Sequence, residues 1–198
     1  MNSMDHETFK KEYNKDISFI RSTFLGRPMT VSFASLYLFE KVLLEYPVKR
    51  IVEFGTWKGN LSLYLYLYCL SEDAEFYTYD IYRFSSYYDE EKKDLLKEKL
   101  EFEKHFRRAD VFKSATEIKE FLQQAGRSFL FCVNGKKTQE FITFAPFLKR
   151  GDIMGVHDWG TEVHIHQVEQ VIKDNNLVFI FEEECLKNDK YIRFFKKM

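Results

Sequence analysis

The sequence is poor in the residues that mark linkers, disulfide scaffolds and membrane spans. Only 3 Pro and 8 Gly occur in 198 residues, which argues against long disordered connections. The 3 cysteines (Cys69, Cys132 and Cys185) lie beside apolar neighbours without a C-x-x-C spacing. An odd number of thiols in that setting fits a reducing compartment better than a disulfide framework, so a cytoplasmic protein is expected. The first residues, M-N-S-M-D-H-E-T-F-K-K-E, contain no apolar signal core, and no apolar run is long enough to suggest a membrane span. The formal net charge is −1, so nothing draws the chain as a whole toward nucleic acid or an anionic membrane. Aromatic residues, by contrast, are plentiful. With 21 Phe and 12 Tyr the core should be aromatic-rich, and the length suits one ordinary domain.

The order of elements is legible from periodicity. Phe9, Tyr13, Ile17 and Ile20 form a helical stripe within 5–24. A second helix, capped by Thr30 or Ser32, should run to Tyr46, where Pro47 stops it. Strand-like runs follow at 50–54, 75–80, 106–110, 128–134 and 152–158, separated by helical segments at about 59–71, 86–104, 114–125, 137–149 and 163–175. Within 61–68 the apolar residues alternate with period two, yet both faces are apolar, so a buried helix is the better reading. The strand-like runs 177–184 and 191–196 are joined by a connection too short for a helical crossover, which predicts an antiparallel hairpin. The fold class expected is α/β: a doubly wound, mostly parallel seven-stranded sheet with a C-terminal antiparallel hairpin and two extra N-terminal helices. Residues 1–47 would be a helical extension, acting as a lid or a homodimer contact, and 48–198 the ligand-binding domain.

Ligands of such sheets bind at the carboxyl ends of the strands. Here those ends carry Glu53, Asp80, Asp110, Asn134 and the pair His157–Asp158. Asp and Asn also favour strand ends as turn formers, but five polar ends in a row point to chemistry at this rim. The first strand leads into E-F-G-T-W-K-G, a glycine loop before a helix start. Its spacing differs from the dinucleotide fingerprint G-x-G-x-x-G. Asp80 is placed to accept from ribose hydroxyls and Asp110 from an adenine amino group.

These residues resemble the class I S-adenosylmethionine-dependent methyltransferases over about residues 30–198. The marks are the E-F-G-T-W-K-G loop, Asp80 and the reversed strand of the terminal hairpin. F-C-V-N-G-K-K-T-Q-E-F and L-K-R-G-D-I-M-G-V-H-D-W-G are similar to segments of the small-molecule and sugar O-methyltransferases of the cephalosporin hydroxylase-like group. The resemblance implies that Glu53, Gly55 and Gly59, with Thr56 and Trp57 between them, hold the methionine portion of the cofactor. Asp80 would hold its ribose, and Asp110 and Asn134 complete the cofactor rim. His157 is the best-suited base for a hydroxyl acceptor, with Asp158 orienting it or binding a divalent cation such as Mg. Related enzymes usually place an acid at the position of Asn134, so a metal held by Asp158 and Asn134 is doubtful.

Lys136 and Lys137 read as a solvated helix start in preference to contacts for an anionic substrate. His164 and His166 read as ordinary helix-start residues in preference to zinc ligands, because residues two apart do not share a helix face. Trp57 and Trp159 suit either a pocket wall or the core. The function expected is O-methylation of a small hydroxylated acceptor, for instance a sugar, without nucleic-acid or membrane partners. A catalytically silent S-adenosylmethionine-binding protein and a metal-dependent hydrolase using His157, Asp158, His164 and His166 are the alternatives.

Overall fold

The computed structural model describes residues 23–24, 27–29, 31–82 and 98–198. Seven strands form the sheet: β1 (Arg50–Phe54), β2 (Glu75–Asp80), β3 (Phe106–Arg108), β4 (Ser128–Cys132), β5 (Ile153–Val156), β6 (Leu177–Ile180) and β7 (Arg193–Lys197). Their spatial order is β3-β2-β1-β4-β5-β7-β6, with β7 alone reversed and antiparallel to both neighbours. The expected doubly wound sheet and the terminal antiparallel pair are therefore present. The order reverses between β1 and β4, the switch point at which loops leave toward opposite faces.

Helices α1 (Phe33–Glu45), α2 (Asn60–Ser71), α3 (Ala115–Gln123), α4 (Lys137–Phe144), α5 (Ile165–Asp174) and α6 (Glu182–Asn188) cover the sheet. Because side chains alternate along a strand, two cores form. Ile51, Phe129, Phe131, Ile153 and Phe194 pack with α1 and α2, while Val52, Phe54, Leu130, Met154 and Phe195 pack with α3, α4 and α5. The first core is centred on Phe39 of α1, whose ring centroid lies 4.8 Å from Phe131 and 5.6 Å from Phe194. Gly155 of β5 makes room for these rings: a Cβ there would lie 2.7 Å from Phe131 and 3.1 Å from Phe194.

Ser32 caps α1, accepting from the Ser35 amide at 3.2 Å. The hydroxyls of Tyr64 and Tyr68, one turn apart on α2, donate to the Leu36 and Leu43 carbonyls of α1. Residues 61–68 are helical, as their two apolar faces require.

Other boundaries differ from expectation. Thr23–Phe24 pairs antiparallel with Arg27–Pro28 in place of the end of the expected helix 5–24, whose remainder to residue 22 lies outside the described residues. Residues 86–97 of the helix expected at 86–104 are likewise outside them, and a 3-10 turn occupies Phe102–His105. The connection between β6 and β7 contains α6, so the strand expected over 177–184 stops at Ile180. Phe181, at φ 54°, turns the chain there, and Glu182, Glu183 and Glu184 fill the first helical turn, where carboxylates are favourable. Among the described residues no helix is long and apolar enough to cross a membrane, and all three cysteines are buried and free.

Candidate functional site

The loop after β1 is braced from beneath. Parallel register sets Glu53 beside Thr78 of β2, and the Thr78 hydroxyl donates to Glu53 Oε2 at 2.7 Å. The Ser62 hydroxyl, from the first turn of α2, donates to the same oxygen. With its proton committed to Glu53, Thr78 accepts from Thr56, whose Oγ1 is 2.6 Å away. Glu53 and Thr56 are both buried. They hold the loop in shape from below.

Above this brace, Asp80 ties two loops together. Its Oδ2 accepts from the Trp57 amide and its Oδ1 from the Tyr82 amide, each at 3.0 Å. Trp57 adopts φ 46° and Gly59, the N-cap of α2, φ 70°. Gly55, at φ +106°, lies against the loop after β4: a Cβ would come within 2.8 Å of the Asn134 amide nitrogen. Only a glycine lets the two loops of the switch point close on each other. Asp110 forms a turn, its Oδ1 accepting from the Phe112 amide at 2.9 Å. That turn takes Ala109 and Asp110 out of β3, which ends at Arg108.

Beyond the switch point lies a second polar cluster. His157 Nδ1 is 3.1 Å from Asp158 Oδ2, and Lys137 Nζ is 2.8 Å from that same oxygen and 2.8 Å from Glu162 Oε2. Exposure of the side chains is 2% for His157, 6% for Lys137 and 25% for Asp158, so solvent reaches the carboxylate first. Partial burial works to raise the Asp158 carboxyl, but the hydrogen bonds from His157 and Lys137 outweigh it and hold it down at about 2. Burial works to lower the Lys137 ammonium, and its two carboxylate partners outweigh that and raise it. Asp158 sits at φ 59°, and its carbonyl accepts from the amides of Thr161, Glu162 and Val163, which fixes the turn carrying Glu162.

Lys137 is thus a buried, doubly paired residue and not the solvated helix start expected. It occupies one stripe of α4 with Glu140, Phe141 and Phe144, all buried. Continuing the apolar i, i+3, i+4, i+7 pattern backwards from Phe144 would have found both charged residues. Glu140 had no expected role. Its carboxylate oxygens are sealed without hydrogen-bond geometry to any described group. Burial pushes its carboxyl up to about 8, against the opposing influence of Lys137, Asn134 and Lys136.

Other candidates separate from the cluster. Trp159 packs on Phe179 and Phe195, each at 5.7 Å between centroids, so it belongs to the core. His164 is the N-cap of α5, in a capping box with Gln167, and its ring stacks on His166. No group of three or more His, Cys, Asp or Glu suited to a metal ion occurs among the described residues, which removes the zinc-hydrolase arrangement there. Asn134 directs Oδ1 to the Gly135 amide at 2.8 Å.

No family model matches the sequence, and no curated protein matches it either. Solved structures do match. A candidate caffeoyl-CoA O-methyltransferase from Staphylococcus aureus superposes with a TM-score of 0.60 at 16% identity over 86% of each chain. CmcI solved with magnesium and S-adenosylmethionine gives 0.65 at 14% identity over 92% of this chain and 79% of that one. Its apo form gives 0.66 at 13% identity over 100% and 86%. At such identities the likeness is one of fold, and it agrees with the strand order and the single reversed strand. The chain has the Rossmann-like methyltransferase fold.

Proposed function

We propose that this protein is an S-adenosylmethionine-dependent O-methyltransferase acting on a small hydroxylated acceptor such as a sugar, with His157 and Asp158 at the acceptor side. The observation that carries the reading is the pairing of two unlike sites across one switch point. On one side Asp80 and the glycine loop are locked together, and on the other stands the His157–Asp158–Lys137 cluster.

The first side suits the cofactor. The Asp80 oxygens each accept one backbone amide, and a carboxylate oxygen has a second lone pair for a ribose hydroxyl. The start of α2 has no side-chain cap, so its amides suit the carboxylate of a methionine group. Asp110 uses Oδ1 for its turn, and Oδ2 suits an adenine amino group. When bound, the cofactor supplies a methyl group on an already activated sulfonium.

The protein's own task is alignment and proton removal. Alignment of two reactants contributes up to about 7–11 kcal/mol, and a positioned base a further factor of roughly 10²–10⁴. The Asp158 carboxylate accepts from His157 Nδ1, an orientation that leaves Nε2 as the ring nitrogen for base chemistry. His157 is almost fully enclosed, so a hydroxyl acceptor has to enter the rim to reach it. Methyl transfer from labelled cofactor to a panel of sugars and phenols tests the reading. Transfer by the wild type that falls at least about 100-fold in His157→Ala is expected for a general base. Cofactor binding without transfer to any acceptor would favour the silent binding protein instead, a reading to which the near-complete burial of His157 lends support.

A further inference from the structure

The rim of this fold invites a divalent cation at Asp158 and Asn134, and the side chains present do not suit one. Both near donors of Asp158 Oδ2 are in place: Lys137 Nζ at 2.8 Å and His157 Nδ1 at 3.1 Å. A magnesium ion requires oxygen ligands at about 2.0–2.1 Å in octahedral array. At Oδ2 it would have to displace an ammonium clamped between the Asp158 and Glu162 carboxylates. The remaining groups are equally unsuited. Asn134 is an uncharged amide whose Oδ1 accepts from Gly135, and the Glu140 carboxyl is fully buried.

We propose that the Lys137 ammonium is the resident cation of this rim, standing where a divalent metal would otherwise bind, and that the protein works without one. Its role toward an acceptor rests on the methyltransferase reading, whereas the exclusion of metal does not. Two of the three ammonium protons go to Asp158 and Glu162. The third is available to an oxygen of the acceptor, so Lys137 both positions Asp158 and presents a fixed positive charge. A purely structural lysine, tying α4 to the turn after β5, would give the same ion pairs. It would not control metal affinity.

Manganese titration of the full chain, followed by electron paramagnetic resonance with and without S-adenosylmethionine, separates these cases. The wild type is expected to leave manganese free at millimolar concentration. The double substitution Asn134→Asp with Lys137→Met restores a second acid and removes the competing charge. It should gain one site with at least about tenfold tighter binding, a difference of about 1.4 kcal/mol, and Asp158→Asn in that background should abolish the gain. Stoichiometric manganese bound by the wild type, displaced by magnesium and lost in Asp158→Asn, would overturn the proposal. So would a folded double variant that gains no site, since Lys137 would then not be what keeps metal out. If the double variant does not fold, the wild-type titration decides. Failure to bind S-adenosylmethionine counts against the methyltransferase reading alone, and the manganese result judges Lys137 either way.

Discussion

Glu140 is buried on α4 among two lysines, Asn134 and Asp110, and burial pushes its carboxyl from 4.5 up to about 8. Between those values the folded protein keeps a proton that the unfolded chain has lost. Stability contributed by the protonated form is complete below the lower value and declines as pH rises through the upper one, by at most about 1.4 kcal/mol per pH unit. Glu140→Gln keeps the shape and removes the titration. Thermal melts from about pH 5 to pH 8 should therefore show a decline in the wild type that the variant lacks, with the variant the more stable at the alkaline end; parallel curves would contradict this. At this scale the sequence was a partial guide. Asp80 and the His157–Asp158 pair stand at the rim as read, because strand ends are legible from periodicity. Lys137 and Glu140 were missed because a charged residue at a helix start is usually solvated. Only the stripe through Phe141 and Phe144 reveals that this start faces inward.

Elements were more legible than single residues, and the exceptions have local causes. β1 and β2 fall where the apolar runs place them. The helix over 60–71 follows from a run apolar on both faces, despite its period-two pattern. The missed element was α6, since three consecutive glutamates after β6 prefer a helix start to a strand, a signal outweighed by the apolar run before it. β5 shows how tightly strand and helix fit: Gly155 leaves space for Phe131 and Phe194, which in turn hold Phe39 of α1. Gly155→Ala should overpack this layer and lower stability by about 1–3 kcal/mol, measured as a shift of the urea midpoint at unchanged slope. An unchanged midpoint would mean that the aromatic layer yields more easily than its spacing suggests.

For the molecule as a whole, α1 is packed into the core although it precedes the first strand of the sheet. Leu38, Phe39, Val42 and Leu43 are buried, and Lys41 pairs with Glu184 of α6. Ser32 and Ser35 both donate to Asp189, in the turn leading to β7. A fragment 48–198 would expose Phe131 and Phe194, so it should lose the cooperative unfolding transition of the full chain. A sharp transition with near-native circular dichroism would show instead that the sheet stands alone. The central claim, that the rim around Asp80 is built for S-adenosylmethionine, is tested most directly by calorimetric titration of the full chain beside Asp80→Ala. The account predicts one binding site per chain, lost in a variant that remains folded. Absence of binding by the wild type at millimolar cofactor, or equal binding by both proteins, would contradict it.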